Sequence, residues 1–415
     1  MINLTQNINN TLMRDYKKKF FLILMIANLL LLSCNTHNEK SEQQQQKKHS
    51  FKVENYKGIK NPRNVSQEWE TDTSKYIIPL NELTVLLSRN KIKPLNAPRY
   101  INTNQAKDSL FGGQPVIGVE INGVSVAFPL NMLSYHEIVN DSIAGVPFSI
   151  AYCPLCNTAY AFSRKVNFKN KNYMLKFGTS GMLRMSNLVM WDEQTETWWQ
   201  HIDGVGLVGK LAGAKLKILP SKIISLNNFI QFYPDGKVMM PVKDANYETH
   251  YTINNYIHYD SIGVKKPFLF FKEVDKRLPA MEYIISVENK NIVNSYPLSI
   301  LQTEGVINNK VGANDIVLFY NDDMISNLDT KYISKGRQIG SGTVFSAVIN
   351  GKTLRFKTSK NNFIDNETNS TWNFVGECID GEYKGKKLQP VVYGLDFAFA
   401  WLAFHPESIV YKKNL

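Results

Sequence analysis

Two of the four cysteines in this 415-residue chain, Cys153 and Cys156, are separated only by Pro-Leu. A Cys-x-x-Cys pair can hold a metal ion, cycle between dithiol and disulfide, or form a structural disulfide. The flanking segments PFSIAY and TAYAFS have the alternation and residue types of strands, so the pair is predicted to lie on a tight turn between two strands. A thioredoxin-type dithiol needs its first cysteine at a helix N-terminus. The turn therefore favours a metal-binding knuckle.

A closed metal site needs more ligands than this turn supplies, and the chain has no second Cys-x-x-Cys pair. This weakens structural zinc, which takes four ligands. Soft thiolate and thioether ligands select Cu(I), and imidazole is compatible with it, so we expect copper in preference to zinc. The candidate completing ligands are His136, His201, Met185 and Met190, with Met182 nearby in sequence.

Each completing ligand has a structural alternative. His136 lies on the apolar face of a predicted helix, where a core histidine bonded to a neighbouring carbonyl or carboxylate is equally expected. The methionines are not at one helical spacing, and gap-filling core residues are the simpler interpretation for each of them.

Three functional hypotheses follow for the cysteine pair. The first is a metal-binding protein of the cell envelope. The second is a thiol–disulfide oxidoreductase with Cys153 as nucleophile and Cys156 as resolving thiol. The third is a non-catalytic binding or structural module in which the pair forms a disulfide.

Arg184 and Cys378 are two further candidate residues, the first for anion binding and the second as a free thiol. Arg184 is predicted to lie in a loop with glycine and serine, where it could bind an anion, although a salt bridge to Asp192 or Glu193 is favoured. Cys378 has no neighbouring cysteine and is interpreted as a small buried residue.

Two long stretches of the chain are similar to each other in sequence. VEINGVSVAFPLNML (119–133) matches VENKNIVNSYPLSIL (287–301) at an offset of 168 residues. FIQFYPDGKVM (229–239) matches WLAFHPESIVY (401–411) at an offset of 172 residues. The order, spacing and residue types agree, which predicts a duplication.

The tryptophans of the two copies can be aligned through their acidic neighbours. DEQTETWW (192–199) matches DNETNSTWN (365–373) if one residue is inserted before the tryptophan. This alignment makes Trp198 and Trp372 equivalent core residues. It leaves Trp199 as a residue that could line a pocket in the first copy.

We predict an α+β, mainly β fold built from two duplicated strand-rich repeats with short helices, packed about a pseudo-two-fold axis. One helix is expected within PLNMLSYHEIVND and another within LNNFIQFYPDG. The predicted segments are a signal peptide 1–33, a disordered tether 34–68, a preface 69–115, repeat one 116–240, a connector 241–283 and repeat two 284–412.

The duplication provides an internal control, because shared residues indicate scaffold and unshared ones indicate a site. At the offset of 168, Asn321 and Met324 occupy the positions of the two cysteines, and Glu304 occupies that of His136. The cysteine pair, His136, His201 and the extra methionines belong to repeat one. We therefore expect the functional site in repeat one.

The N-terminus indicates export. Basic residues precede an apolar run (20–32) that has the length of a signal-peptide core. The run ends in Leu-Leu-Ser-Cys34, which resembles a bacterial lipobox and implies lipidation of Cys34. An uncleaved anchor is the alternative. We expect the body to be tethered to the bacterial membrane, at the outer membrane by default, in the periplasm or at the cell surface.

The charge distribution argues against nucleic acid as a partner. The net charge is +12, but residues 1–60 hold ten Lys/Arg against four Asp/Glu, and the remainder has no basic run. The chain also lacks the P-loop, dinucleotide-glycine and G-x-S-x-G motifs, so it carries no nucleotide, flavin or serine-hydrolase signature.

At the level of motifs the chain resembles the family called domain of unknown function 3179. The resemblance is carried by HEIVND, YCPLCNTA, SGMLR with LVMWD, RLPAMEYIISV and FAFAWLAFHPES. It covers the chain from about Ser74 to Tyr411. It implies a shared fold and an exported setting, and it implies no reaction.

Overall fold

The structure is a computed structural model that describes residues 51–52, 58–240 and 250–413. Strands make up 43% and helices 12% of it, so the predicted mainly-β, α+β class is confirmed. The predicted signal peptide, the lipidation site Cys34 and most of the tether lie outside the described residues. Order begins before the predicted boundary at residue 69, because the Lys60 amide donates to the Leu83 carbonyl at 3.1 Å.

The region before the first repeat supplies edge strands and one helix. Its elements are β1 (Phe51–Lys52), β2 (Glu68–Trp69), β3 (Leu83–Val85), β4 (Leu95–Asn96), β5 (Tyr100–Asn102) and α1 (Thr103–Ser109).

The first half is built from strands interrupted by two seven-residue helices. Its elements are β6 (Pro115–Ile121), β7 (Val124–Pro129), α2 (Leu130–His136), β8 (Ile138–Ile143), β9 (Val146–Cys153), β10 (Thr158–Ser163), β11 (Lys165–Phe168), β12 (Lys171–Met174), β13 (Phe177–Arg184), β14 (Asn187–Asp192), β15 (Trp198–Gln200), β16 (Gly206–Val208), β17 (Ile218–Leu219), β18 (Ser221–Ser225), α3 (Leu226–Phe232) and β19 (Lys237–Met239).

The second half has the same kinds of elements. They are β20 (Tyr283–Asn289), β21 (Ile292–Pro297), α4 (Leu298–Glu304), β22 (Val306–Val311), β23 (Asn314–Asn321), β24 (Ser341–Ser346), β25 (Val348–Ile349), β26 (Lys352–Thr353), β27 (Phe356–Ser359), β28 (Asn362–Asp365), β29 (Thr371–Trp372), β30 (Cys378–Asp380), β31 (Tyr393–Phe397), α5 (Ala398–Phe404) and β32 (Ile409–Val410). Single 3₁₀ turns occur at Leu80–Glu82, His250–Thr252 and Ile333–Lys335.

Three five-stranded sheets contain the strands of the first half, in the orders β17-β10-β9-β8-β4, β16-β15-β14-β13-β3 and β18-β6-β7-β19-β5. Each has an edge strand from the region before the repeat, so that region completes the first half. The second half forms sheets β31-β20-β21-β32, β22-β23-β24 and β27-β28-β29-β30. The pairs β1-β2, β11-β12 and β25-β26 stand apart.

The two halves share pairing registers. Val116 pairs with Pro129 in β6-β7, and Ile284 pairs with Pro297 in β20-β21, which are the same positions at the offset of 168. Strand β19 runs parallel to β7, as β32 does to β21. These registers are what the predicted duplication requires. Common descent and the pseudo-two-fold axis stay predictions.

The first predicted helix is shorter than expected. The helix α2 ends at His136, and the segment predicted to continue it forms β8 instead. It ends there because Glu137 takes a backbone conformation with φ 58° and ψ −35°, which no helix can continue. In the second half α4 ends in the same way at Gly305, with φ 72°.

The main apolar core is common to both halves. One cluster of buried side chains includes Ile150 and Phe162 of the first half and Ile285 and Leu395 of the second. Burying each such side chain contributes about 1.5–3 kcal/mol, so the contact between the halves is a substantial part of the folding free energy. Residues 50–415 form a single compact unit.

The α-helices among the described residues have seven residues each, and none is long and apolar enough to cross a bilayer.

Candidate functional site

The cysteine pair lies on a tight turn between strands, as predicted. Strand β9 ends at Cys153, which pairs with Thr158 at the start of β10. The Cys156 amide donates to the Cys153 carbonyl at 3.2 Å, and the Asn157 amide donates to the Pro154 carbonyl at 3.3 Å. These two bonds curl the chain, so both thiols project to the same side of the turn.

Both cysteines are free, and both are buried. Their sulfurs approach one acceptor, the Ser186 carbonyl oxygen, at 3.7 Å for Cys153 and 3.4 Å for Cys156. A shared acceptor at these distances means that the two thiols converge. The site is therefore a buried dithiol.

The carbonyl that meets the thiols belongs to a strained hairpin turn. The turn between β13 and β14 consists of Met185 and Ser186, with φ values of 49° and 67°. Such two-residue turns ordinarily use Asn-Gly, because both residues need positive φ. The Ser186 hydroxyl donates to the Phe268 carbonyl at 2.7 Å and helps to hold the turn in place. The segment around Arg184, predicted to be a loop with glycine and serine, is thus a β-hairpin.

The Cys156 thiol is kept neutral by its surroundings. Burial raises its pKa well above the ordinary value, and the neighbouring Cys153 thiol raises it further. The Asn187 side chain opposes this rise in pKa, and its amide nitrogen has no hydrogen-bond partner among the described residues. The Asn187 side-chain oxygen accepts from Gln200 at 2.7 Å and from the Ile202 amide at 3.1 Å. These two bonds fix the orientation of the Asn187 amide group.

A buried carboxyl group from the second half lies on the strand whose backbone is bonded to the thiol turn. Asp396 lies on β31 and accepts a hydrogen bond from Ser286 at 2.5 Å. Burial raises its pKa to about 7. The turn is fixed against this strand because the Phe397 amide donates to the Cys156 carbonyl and the Asn157 side chain donates to the Leu395 carbonyl, each at 2.9 Å.

The connector lies against the same turn. The Tyr259 hydroxyl donates to the Leu155 carbonyl at 3.0 Å, between the two cysteines. The Phe268 carbonyl is the acceptor for Ser186 already described. The dithiol is therefore enclosed by three parts of the chain that are distant in sequence.

His201, a predicted ligand, is completely buried in the same core. Its Nε2 lies 3.0 Å from the Ala151 carbonyl, two residues before Cys153 on β9. Burial lowers its pKa to about 3, so the ring is neutral. Its Nδ1 has no hydrogen-bond partner among the residues that the structure describes. That nitrogen is a free acceptor.

His136 is buried as predicted, but both of its ring nitrogens are engaged. Nδ1 lies 2.8 Å from the Lys93 carbonyl, and Nε2 lies 2.5 Å from the Tyr251 hydroxyl. Ligation of a metal would require one of these bonds to break. The structure therefore agrees with the alternative of a satisfied core histidine.

The predicted methionine ligands divide between two cores. Met185 and Met190 belong to the apolar cluster that contains both cysteines, whereas Met182 packs in a separate cluster around Trp69. Over the described ranges, no group of three or more His, Cys, Asp and Glu side chains is placed to hold a metal ion. A metal ion at the dithiol would thus need thioether or carbonyl ligands besides the two thiolates, or would be bound by the two thiolates alone.

Arg184 lies at the end of β13 rather than in a loop, and its predicted partner was wrong. Its Nε is 2.7 Å from a Glu82 carboxylate oxygen, and an Nη is 3.3 Å from the Gln200 side-chain oxygen. The guanidinium carbon also lies 5.2 Å from the centre of the Phe404 ring. These contacts hold the preface against both halves, in place of the expected salt bridge to Asp192 or Glu193.

Trp199 has a counterpart in the second half, contrary to our alignment. Its indole N–H donates to Asp192 at 2.9 Å, and the Trp372 indole N–H donates to Asp365 at the same distance. In each case the two residues are seven positions apart. No residue is inserted, so the structural equivalent of Trp372 is Trp199, and Trp198 aligns with Thr371. Trp199 is fully buried and belongs to the scaffold.

Glu137 is the residue near the dithiol that sequence reasoning missed. It directly opposes Tyr152, whose amide donates to the Glu137 carbonyl at 2.8 Å. Burial raises the pKa of Tyr256, and negative charge on Glu137 or on Cys153 would raise it further. Burial raises the pKa of Glu137 to about 8. This half-buried carboxyl group therefore lies directly before the strand that pairs with the cysteine-bearing strand β9.

The second half shows what the backbone requires at this position. At the offset of 168, Glu137 corresponds to Gly305, and both have positive φ with ψ near −30°. Glycine accepts this conformation, whereas a side chain is strained there by about 1–3 kcal/mol. The first half thus has a strained glutamate, Glu137, at a position where the second half shows that glycine is compatible with the fold. The signal in the sequence was the change of HEIVND to EGVINN.

We expect Glu137→Gly to raise the free energy of unfolding by about 1 kcal/mol or more, because it relieves this backbone strain. Urea unfolding at pH 4, where the Glu137 carboxyl group is largely protonated in both the folded and the unfolded state, measures the change without a contribution from its raised pKa. Gly305→Ala is the corresponding variant and should lower stability by more, since it introduces the same backbone strain in the second half and places a Cβ 2.6 Å from Thr358 Cγ2. An unchanged or lower stability of Glu137→Gly would contradict the strain.

Comparison with known proteins adds a family and no activity. A family model described as "Protein of unknown function (DUF3179)" matches residues 89–408, a slightly shorter range than the resemblance indicated. Neither the curated proteins nor the solved structures contain a match. The matched range includes the dithiol, the Ser186 turn, Glu137 and Asp396. The chain belongs to the DUF3179 family.

Proposed function

We propose that this chain is a cell-envelope protein that binds a soft metal ion, Cu(I) in preference to zinc, through the thiolates of Cys153 and Cys156. The observation that carries the proposal is the convergence of two free, buried thiols on one carbonyl oxygen. A turn of strained residues supplies that carbonyl, and such strain concentrates at functional sites.

The burial of both thiols favours metal binding over nucleophilic chemistry. A reactive cysteine needs partial exposure, and the predicted nucleophile Cys153 is buried. Burial also raises the pKa of Cys156, the predicted resolving thiol. A bound metal ion supplies its own charge and deprotonates a coordinating thiol outright. The surroundings thus permit a thiolate only when a cation accompanies it.

The ligands available favour Cu(I) over zinc. Zinc in structural sites takes four nitrogen, sulfur or carboxylate ligands, and the described part of the chain offers no such group here. Cu(I) is selected by thiolate and thioether ligands. The sulfurs of Met185 and Met190, which belong to the same apolar cluster as the two cysteines, are the groups that would complete the shell. Within the residues that the structure describes, the predicted ligand His201 is not grouped with the two thiols.

The setting of this activity is also a proposal. The basic and apolar N-terminus and Cys34 support export and lipid anchoring to the bacterial membrane, and the even spread of charge supports no nucleic-acid partner.

Anaerobic reconstitution with Cu(I), followed by removal of loosely bound metal and elemental analysis, tests the proposal. We expect about one copper per chain for the wild type, and loss of that copper in Cys153→Ser and in Cys156→Ser. Cys378→Ser is the matched control, because Cys378 is also a free, buried thiol but lies in the second half, next to the Asp380 carbonyl. Binding of the same amount of copper by all four proteins would contradict the proposal.

A thiol–disulfide oxidoreductase is the second candidate, and Asp396 is the observation that favours it. A buried carboxyl group with a pKa near 7 beside Cys156 could accept the proton of a resolving thiol. Equilibration with glutathione measures the reduction potential of the pair. A value below about −300 mV would indicate a structural disulfide rather than a redox site. The double Ser variant with unchanged stability and cellular phenotype would support the non-catalytic module.

A further inference from the structure

The connector contains a loop, residues 261–272, that displays large apolar side chains to solvent. The sequence of this loop is SIGVKKPFLFFK. The exposed fractions are 57% for Ile262, 40% for Phe268 and 60% for Phe271. Exposed phenylalanines grouped on one short loop indicate a contact surface.

The loop is anchored to the protein from behind. Phe270 is buried and packs edge-to-face on Phe399, with ring centres 5.3 Å apart. Its amide donates to the Pro267 carbonyl at 3.3 Å, and Leu269 takes a positive φ of 55°. This turn directs the rings on either side of Phe270 outward while the backbone stays fixed. The exposed side chains of Ile262, Phe268 and Phe271, called here the apolar tip, thus form a surface on an ordered backbone.

Lysines surround the apolar tip. Lys265, Lys266 and Lys272 are exposed and make no salt bridge within the described part of the chain. Lys60 adds a fourth positive charge, because its Nζ lies 4.8 Å from the centre of the Phe271 ring.

The carboxylates that follow the loop do not cancel this charge, since they have partners of their own. Glu273 pairs with Lys276 at 2.8 Å, and Asp275 pairs with Arg277 at 2.8 Å. The loop therefore combines exposed aromatic rings with four uncompensated cations.

We propose that loop 261–272 docks on the surface of an anionic lipid bilayer. The rings of Phe268 and Phe271 enter the boundary between head groups and acyl chains, and the lysines contact lipid phosphates. Aromatic rings favour this boundary, and basic residues beside it are attracted by anionic lipids. The N-terminus independently predicts a membrane anchor, which would keep the protein at a bilayer. The inference goes beyond the proposed metal binding and is independent of it.

A tryptophan reporter tests this in the full chain. The six native tryptophans are buried, so a tryptophan at position 271 would be the exposed one. Full-length Phe271→Trp is reconstituted into vesicles of phosphatidylcholine with or without phosphatidylglycerol, each carrying brominated acyl chains. We expect bromine quenching of the new tryptophan with phosphatidylglycerol present, and loss of that quenching at high salt.

The controls separate docking from anchoring. Tyr76→Trp places the reporter at a residue that is 57% exposed but outside the loop, and it should stay unquenched. Replacing Lys265, Lys266 and Lys272 with Glu in the Phe271→Trp background should abolish the quenching. The proposal is overturned if position 271 is unquenched in both vesicles, or if positions 271 and 76 are quenched equally.

Discussion

Asp396→Asn should make the stability of the protein less dependent on pH. Between pH 4 and pH 8 the free energy of unfolding of the variant, relative to that of the wild type, should rise by about 4 kcal/mol. Burial raises the pKa of Asp396 from its ordinary value of 3.8 to about 7. Between these pH values the folded state keeps the proton that the unfolded state has lost. Unfolding then releases a proton, so the free energy of unfolding falls as the pH rises, at about 1.4 kcal/mol per pH unit.

This contribution to stability is fully present below about pH 4 and is lost as the pH rises through 7. Asparagine does not titrate, so the difference between variant and wild type isolates the carboxyl group from other titrating residues such as His201. Urea unfolding at several pH values measures that difference. Ser286→Ala is the matched variant. It removes the hydrogen bond that opposes the rise in pKa, so the fall in stability with pH should continue to a higher pH than in the wild type. Parallel curves for wild type and Asp396→Asn would contradict the assignment.

Trp199→Ala and Trp372→Ala should each lower the free energy of unfolding by about 3–5 kcal/mol. Both side chains are fully buried, and large-to-small changes of this kind leave a cavity. Each also leaves its aspartate, Asp192 or Asp365, without the indole N–H donor. Thermal or urea unfolding of the two variants measures the losses.

The comparison of the two tryptophan variants decides between scaffold and binding site. Because Trp199 and Trp372 make the same bond in the two halves, we expect similar losses and no selective effect of Trp199 on copper binding. Trp198→Ala, from the adjacent buried residue that packs on Trp69, controls for the size of the change. A mild loss of stability at Trp199 with loss of copper would instead support the predicted pocket.

Local patterns were sufficient to predict much of the fold. The strands around the cysteine pair, the positions of the repeated helices and the mainly-β class all follow from alternation and turn residues over short stretches. The predictions that were wrong concern positions where backbone conformation or a distant partner overrides the pattern. The helix ends at His136 because of the conformation of Glu137. Arg184 bonds Glu82 from a distant strand rather than the acidic residues nearest in sequence.

The spacing of Cys153 and Cys156 is a property of consecutive residues, and the sequence alone therefore sufficed to place both thiols on one turn. It could not show what surrounds that turn. The Ser186 carbonyl, the strand that carries Asp396 and the connector come from three separate parts of the chain, and only tertiary packing brings them to the thiol turn. Burial is likewise a property of the folded chain, and it is burial that sets the pKa values of Cys156 and Asp396. The tertiary structure thus decided the chemical state of the dithiol, because desolvation depends on neighbours that no local pattern specifies.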